Sequence, residues 1–244
     1  MSKRAQFRIA TSGWNYKDWR GRFYPKDLPM KKWFAHYAGV FDTVEIDNSF
    51  YHLPTGGTFD DWNKQAPRGF LYAVKASRFI THLKKLKNAR QPVRRFLKRA
   101  RRLGNHLGPI LYQLPPHWKP NLERLAKFCE QLPGDLKHVI EFRDRTWLNE
   151  KTYVVLEKHG ICLCVHDMLK RHPRRVTGKS VYVRFHGTGS KYSGSYSRGR
   201  LRRWANWMRQ TARSGHDVYA YFNNDRRADA VRNALTLREL LGAT

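Results

Sequence analysis

Short runs of β-branched and aromatic residues recur along the chain. Between them lie segments whose apolar positions fall three and four residues apart. The runs cover residues 8–13, 43–49, 71–77, 108–115, 137–143, 161–167, 180–187 and 217–224. Their starts lie about 30 residues apart, the length of a strand–helix–strand unit. Helical periodicity fits 31–39, 59–66, 92–103, 120–132, 148–159, 200–214 and 226–241. Pro92 and Pro120 suit first-turn positions, and Gly104 and Gly160 suit helix ends. The sixth crossover, 168–179, is too short and too rich in Pro and Arg for a regular helix. Eight strands alternating with helices predict an α/β fold, a single (β/α)8 TIM-type barrel spanning residues 1–244 with the sixth crossover helix reduced. A doubly wound open sheet uses the same alternation, but no Gly-x-Gly-x-x-Gly turn follows the first strand.

Composition narrows the class. Of 244 residues, 41% are apolar, with 8 Trp, 12 Tyr and 13 Phe, which supplies a sizeable core and excludes a disordered polycation. No apolar run is long enough to span a membrane. The first ten residues carry no apolar signal segment, and three cysteines without a Cys-x-x-Cys pair suit a reducing compartment, so the expectation is a cytoplasmic protein with no membrane association. Cys162 and Cys164 alternate onto one strand face and read as a small buried apolar pair.

In such a barrel the active site lies at the carboxyl ends of the strands, and here those ends are unusually polar. The second strand carries Glu45 and Asp47, then Ser49, Phe50 and Tyr51; the third carries Lys75 and Ser77, with Thr81 and His82 beyond. Glu141 and Arg143 share one face of the fifth strand, and Arg184 and His186 one face of the seventh. Asp167 ends the sixth strand and Asn223-Asn224 the eighth. One buried Glu–Arg pair is an ordinary structural ion pair. Several charged groups converging on one rim point to a pocket for an anionic ligand.

An ordered set of segments carries a family resemblance. They are Thr11-Ser12-Gly13-Trp14 with Tyr16 and Trp19, the run from Phe41 to Tyr51, Phe70 to Ser77 with Ile80-Thr81-His82, and Gln113-Leu114-Pro115-Pro116. Ile140-Glu141-Phe142-Arg143 with Trp147, Tyr182 to Gly187, and Tyr219 to Asn224 complete it. Over nearly its whole length the chain resembles the YecE-like proteins, a family catalogued as domain of unknown function 72. The resemblance implies a (β/α)8-type barrel with a polar pocket and assigns no reaction. The family pattern after the second-strand Glu reads Asn-x-Thr-Phe-Tyr, whereas this chain reads Asp47-Asn48-Ser49-Phe50-Tyr51, keeping a hydroxyl at Ser49 and adding a carboxylate at Asp47.

Three readings of the pocket stand side by side. In the first, a hydrolase acts on a phosphate-bearing or nucleic-acid substrate: Lys75, Arg143 and Arg184 hold anionic oxygens, and His186, His82 or Glu141 serves as acid or base. A divalent metal could join Glu45, Glu141, Asp167 and His186 as cofactor, although no tight ligand spacing specifies one. In the second, Glu45 and Glu141 form the acid–base pair of a carbohydrate-active enzyme, with Trp14, Tyr51, Trp147 and Tyr192 as stacking surfaces. Arg143 beside Glu141 suits a base or nucleophile there better than an acid. The third is a non-enzymatic barrel that binds nucleic acid or another anion. The candidate catalytic residues are Glu45, Glu141, Asp167 and His186. The candidate substrate contacts are Trp14, Tyr51, Lys75, His82, Arg143, Trp147, Arg184, Tyr192 and Asn224. Trp19, Trp33, Trp62 and Trp118 read as packing between helices and barrel. The Gly- and Ser-rich stretch 187–196 reads as a lid carrying Tyr192 and Tyr196, without the Gly-Lys-[Ser/Thr] ending of a phosphate-binding loop.

Charge adds a class of partner. The formal net charge is +29, from 48 Lys and Arg against 19 Asp and Glu. Residues 84–102 hold 10 of the cations and no acid, with Val93, Phe96, Leu97, Ala100 and Leu103 at helical spacing beneath them. Smaller groups are Lys170, Arg171, Arg174, Arg175 and Lys179, and Arg198, Arg200, Arg202 and Arg203. Nucleic acid is therefore a candidate partner through this basic surface, and host adaptation is the competing explanation. A polyanion held this way should lose affinity at about 0.7–0.9 log units per log unit of salt for each phosphate neutralised. Replacing Arg171, Arg174 and Arg175 with Gln should lower that slope if the rim loop is the contact, and replacing Arg94, Lys98 and Arg101 should do so if the outer helix is. Absence of oligonucleotide binding at low salt removes nucleic acid from the partners.

Overall fold

A computed structural model of the chain describes residues 5–189 and 192–243. Eight strands form: β1 (Phe7–Thr11), β2 (Thr43–Ile46), β3 (Leu71–Lys75), β4 (Leu107–Gln113), β5 (His138–Glu141), β6 (Cys162–His166), β7 (Ser180–Phe185) and β8 (Asp217–Phe222). Their order is β1-β8-β7-β6-β5-β4-β3-β2, the described pairings are parallel, and a parallel bridge from Ser12 to Glu45 joins β1 to β2. Eight parallel strands in a nearly closed barrel, with helices between them, is the (β/α)8 fold expected from the chain. Seven of the strands begin and end within two residues of the hydrophobic runs. β2 stops three residues early, at Ile46, where a 3-10 turn over Asn48–Phe50 takes over, and β8 stops at Phe222.

Among the described residues, seven helices cover the connections: α1 (Trp33–Ala38), α2 (Gly56–Gln65), α3 (Arg90–Ala100), α4 (Leu122–Cys129), α5 (Glu150–Lys158), α6 (Arg198–Arg213) and α7 (Asp229–Leu241). The side chains of Thr55, Asn121, Asn149 and Ser197 accept backbone N–H bonds at the starts of α2, α4, α5 and α6. No helix forms between β6 and β7, as the Pro- and Arg-rich crossover predicts. There Thr177 donates to the Ile161 carbonyl at 2.7 Å and accepts from the Leu163 amide at 2.8 Å, taking a place a neighbouring helix would otherwise cover. Among the described residues no helix is long and apolar enough to cross a membrane.

Contacts divide the chain into two compact units. The first comprises the described residues of Met1–Glu45, His166–Met168 and Ser180–Thr244; the second comprises Ile46–Val165 and Leu169–Lys179. In the first unit, Trp19, Phe23, Tyr24, Trp33 and Tyr37 form an aromatic cluster, with Tyr24 stacked on Trp33 at 4.5 Å, and Phe185 stacks on Phe222 at 4.3 Å. In the second, Tyr112 meets Phe128 edge-on, and Cys129, Cys162 and Cys164 are all buried. Gly108 is required at the start of β4, because a Cβ there would sit 3.0 Å from the Tyr72 carbonyl oxygen of β3.

Inside the first unit the strands carry a polar layer rather than the branched aliphatics usual in such barrels. Glu45 of β2 is fully buried. Its carboxylate accepts from Ser12 Oγ at 2.6 Å, from Tyr182 Oη at 2.6 Å, and from Arg184 Nη2 and Nε at 2.7 and 3.1 Å. Beside it, the Thr43 and Tyr221 hydroxyls are 2.8 Å apart. Both Glu45 oxygens are thus engaged by donors, and Arg184, with no exposed surface, is ion-paired with Glu45.

Removing one member of such a pair strands a buried charge. Arg184→Met should therefore cost about 3–5 kcal/mol in urea unfolding. The double variant Glu45→Gln/Arg184→Met should recover most of that loss. Additive losses in the double variant would show that the two side chains do not act as a pair.

Candidate active site

The second unit gathers charge where β3 and β5 end. Lys75, the last residue of β3, is 8% exposed; its ammonium lies 3.7 Å from the Asp47 carboxylate and 4.1 Å over the Phe50 ring. Ser49 donates to the Lys75 carbonyl at 2.6 Å, tying the turn after β2 to the end of β3. A hydroxyl is needed at this position for that bond, which gives a physical reason for the Ser that stands where the resemblance leads one to expect Thr.

Glu141, at the end of β5, is fully buried and ion-paired with Arg143. The β4–β5 register sets Gln113 opposite Glu141, and Gln113 Oε1 accepts from Arg143 Nη2 at 3.1 Å. His82 stands in a π-turn, Phe79–Leu83, with its ring edge-on to Phe50 at 5.0 Å and Nδ1 2.9 Å from the Thr81 hydroxyl. Burial lowers its pKa most; the positive charges of Lys75, Arg78 and Arg143 add to this and Glu141 opposes, which brings it down to about 4. The imidazole is therefore neutral at neutral pH and faces a cationic field. His172, missed at the sequence level, stands in the loop crossover. Burial lowers its pKa and the charge of Glu141 partly offsets this. Its only sequence signal is a lone His inside a basic rim segment.

Two aromatic expectations change here. Trp147 is fully buried, stacked on Phe142 at 4.9 Å, with its indole N–H donating to the Trp118 carbonyl at 2.6 Å. It is a core residue and offers no stacking surface to a substrate. Tyr51 is 63% exposed, edge-on to Phe50 at 5.0 Å.

The first unit holds the other candidates. Asp167 accepts from the His186 amide at 2.9 Å and from the Tyr196 hydroxyl, with Arg200 at 3.7 Å. Burial pushes its carboxyl above the usual range in spite of these donors. Both of its oxygens are occupied in anchoring the segment after β7. His186 lies with its ring 5.9 Å from that of His166 and 5.8 Å from that of Tyr192. His166, also buried and also missed, ends β6 directly before Asp167, and that strand-end position was its sequence signal. Two adjacent imidazoles are the ligand type that suits zinc, copper, iron or nickel.

Asn224 is fully buried and donates to the Gly194 carbonyl and to Asn233 Oδ1, both at 2.9 Å, so it straps the loop instead of binding substrate. Tyr196 is buried with its hydroxyl on Asp167, which removes it from the expected lid. Of that stretch, Ser190 and Lys191 lie outside the described residues. Trp14 is half-buried and packs against Phe34 at 5.4 Å.

The comparisons with known proteins agree with this architecture. UPF0759 protein YunF of Bacillus subtilis (strain 168) is 25% identical over 267 aligned residues, covering 96% of this chain and 94% of that one. A DUF72 family protein from Thermotoga maritima MSB8 is 27% identical, with a TM-score of 0.89 over 97% of this chain and 99% of that one. D-psicose 3-epimerase from Clostridium cellulolyticum H10, solved with D-tagatose, is 14% identical with a TM-score of 0.54 over 89% of this chain and 91% of that one, a likeness of fold alone. The family described as Protein of unknown function DUF72 matches residues 8–244, and the chain belongs to that family.

Proposed function

We propose that the protein is a hydrolase for a phosphate-bearing substrate, whose phosphoryl group is held at the strand ends of the second unit. The observation that carries this reading is the electrostatic balance at His82, where burial and three cations outweigh Glu141. A field of that sign is preorganised for an anion, and a phosphate dianion supplies the negative charge that the imidazole lacks. Lys75 contributes a compact point charge and Arg143 the guanidinium N–H groups left over from Glu141 and Gln113 for the non-bridging oxygens. Water attacks phosphorus and gives its proton to Glu141. The bond from phosphorus to the leaving oxygen breaks, and His82, protonated once the dianion is bound, donates its proton to that oxygen. Glu141 takes the proton from water beside the Arg143 guanidinium with which it is ion-paired. The carbohydrate reading has lost Trp147 as a stacking surface, since that ring is buried in the core.

The free protein should show His82 titrating near 4 in NMR spectra of histidine-labelled material. Inorganic phosphate should move that titration upward, and an unchanged curve would overturn the reading. The depressed pKa also has a stability consequence. Neutral His82 contributes fully above its ordinary value of 6.5, and this contribution is lost as pH falls toward 4. Saturating phosphate should reduce that loss.

Glu141→Gln keeps shape and removes charge. With p-nitrophenyl phosphate mono- and diesters as probes, it should abolish turnover while inorganic phosphate still moves the His82 titration. Turnover that survives the substitution would mark the Glu141–Arg143 pair as a structural ion pair. A parent that binds phosphate and hydrolyses neither ester would match the non-enzymatic barrel.

A further inference from the structure

Beside the proposed phosphoryl site, a groove of about 480 Å³ runs between the π-turn Phe79–Leu83 and α3. Its buried lining is apolar, Ile80 and Phe96, and its exposed lip carries Phe79, Gln91 and Arg95. Arg99 closes one wall, with its guanidinium donating to the Leu53 and Pro54 carbonyls at 3.1 and 2.8 Å, so that cation is committed to the fold. Arg95 is exposed and makes no hydrogen bond or ion pair among the described residues. Phe79 is 45% exposed, with the Lys84 ammonium 5.6 Å from its ring centroid.

Three features of this groove belong together. First, Ser77 lines it two residues beyond Lys75, and the turn that supplies Phe79 also supplies His82, so groove and phosphoryl site are continuous along the chain. Second, residues 84–102 contain no acid, and Asp135 and Asp60 from other segments meet only Arg101 and Arg102 among their ten cations. Third, large apolar side chains stand out of that surface: Tyr51 is 63% and Leu83 66% exposed. An exposed aromatic ring beside unpaired cations is the arrangement that holds single strands, with ring faces for bases and cations for the backbone. A duplex keeps its bases stacked on each other and cannot use the Phe79 ring. An acidic peptide would use the cations and gain little from the ring.

We propose that this groove is a base-stacking subsite for a single-stranded nucleic acid, with Phe79 against a base, Arg95 on a neighbouring phosphate, and the strand leading to Lys75 and Arg143. The proposal rests on the phosphoryl-site reading and names its substrate class. The turn Phe79–Leu83 presents the stacking ring and the imidazole together.

The test is fluorescence anisotropy of the full chain with a labelled oligothymidylate at low salt. Phe79→Ala should weaken binding by about 5- to 100-fold, the range for loss of one base stack, and Phe79→Trp should retain it. On an abasic strand of equal length, Phe79→Ala and the parent should bind alike. Arg95→Gln should lower the salt slope by about 0.7, the share of one phosphate on a single strand. The proposal is overturned if Phe79→Ala binds oligothymidylate as the parent does, or weakens the abasic strand equally. It is also overturned if the variant loses polyglutamate binding to the same extent, which would make the groove an acidic-peptide site. The two proposals separate cleanly. Phosphate that shifts His82 beside an indifferent Phe79→Ala defeats this inference alone. A Phe79-dependent strand beside an unmoved His82 defeats the phosphoryl reading alone.

Discussion

A carboxylate buried without exposed surface sets the terms for the first unit. Glu45 can be ionised there only if every lone pair is met by a donor, and Ser12, Tyr182 and Arg184 meet them from β1 and β7. Those donors are fixed in turn. Burial and the neighbouring Glu45 charge raise the Tyr182 hydroxyl well above its ordinary range, so it keeps the proton it donates. Strand register follows from the same requirement, since a slip of one residue would turn Glu45 to the opposite face and leave Arg184 unpaired in the interior. The Ser12–Glu45 bridge that joins β1 to β2 thus coincides with the polar cluster that specifies it.

Local pattern carried the architecture and misjudged some of the chemistry, for one physical reason. Each strand is a run of residues buried on both faces, and the capping side chains Thr55, Asn121, Asn149 and Ser197 stand in the sequence at the helix starts, so elements could be read from neighbours a few positions away. Glu45 and Glu141 look alike at that range: each is an acid near the carboxyl end of a β-branched strand. What separates them is a partner 139 residues distant, Arg184, which no short window contains. Trp147 follows a strand end as a pocket aromatic would, but the 3-10 turn Arg145–Trp147 directs its N–H to Trp118. The overshoot of several predicted strands has the same origin. Asp47, Ser77, Arg143, Asp167 and His186 continue the alternating pattern after the backbone ladder has stopped. The π-turn holding His82 has no breaker or cap to announce it.

The charge of the whole chain and the charge of the site are different quantities. Most of the 48 cations lie on exposed surface, where each is screened over about 8–10 Å at ordinary ionic strength. Lys75 and Arg143 act at close range behind a buried boundary, where screening is weaker, and Asp47 and Glu141 offset them in part. The chemistry therefore depends on which positive group stands nearest the imidazole and much less on the net sum. A relative with a far lower isoelectric point could keep the same local field.

The crossover after β6 has a bearing on how this chain comes apart. Where other crossovers bury the face of a helix, this one is held by Thr177 and by the Arg175 ion pairs with Glu150 and Glu157, which are exposed. Segments with little buried apolar contact open at lower free energy than the strands beside them. Arg171, Arg174 and Arg175 are exposed there in a stretch without regular secondary structure, which is the substrate form a trypsin-like protease requires. The same economy that shortens the chain by one helix thus leaves its second unit with a built-in point of entry for proteolysis, and the lifetime of the protein in a protease-rich setting would be governed by the opening of that loop rather than by unfolding of the barrel.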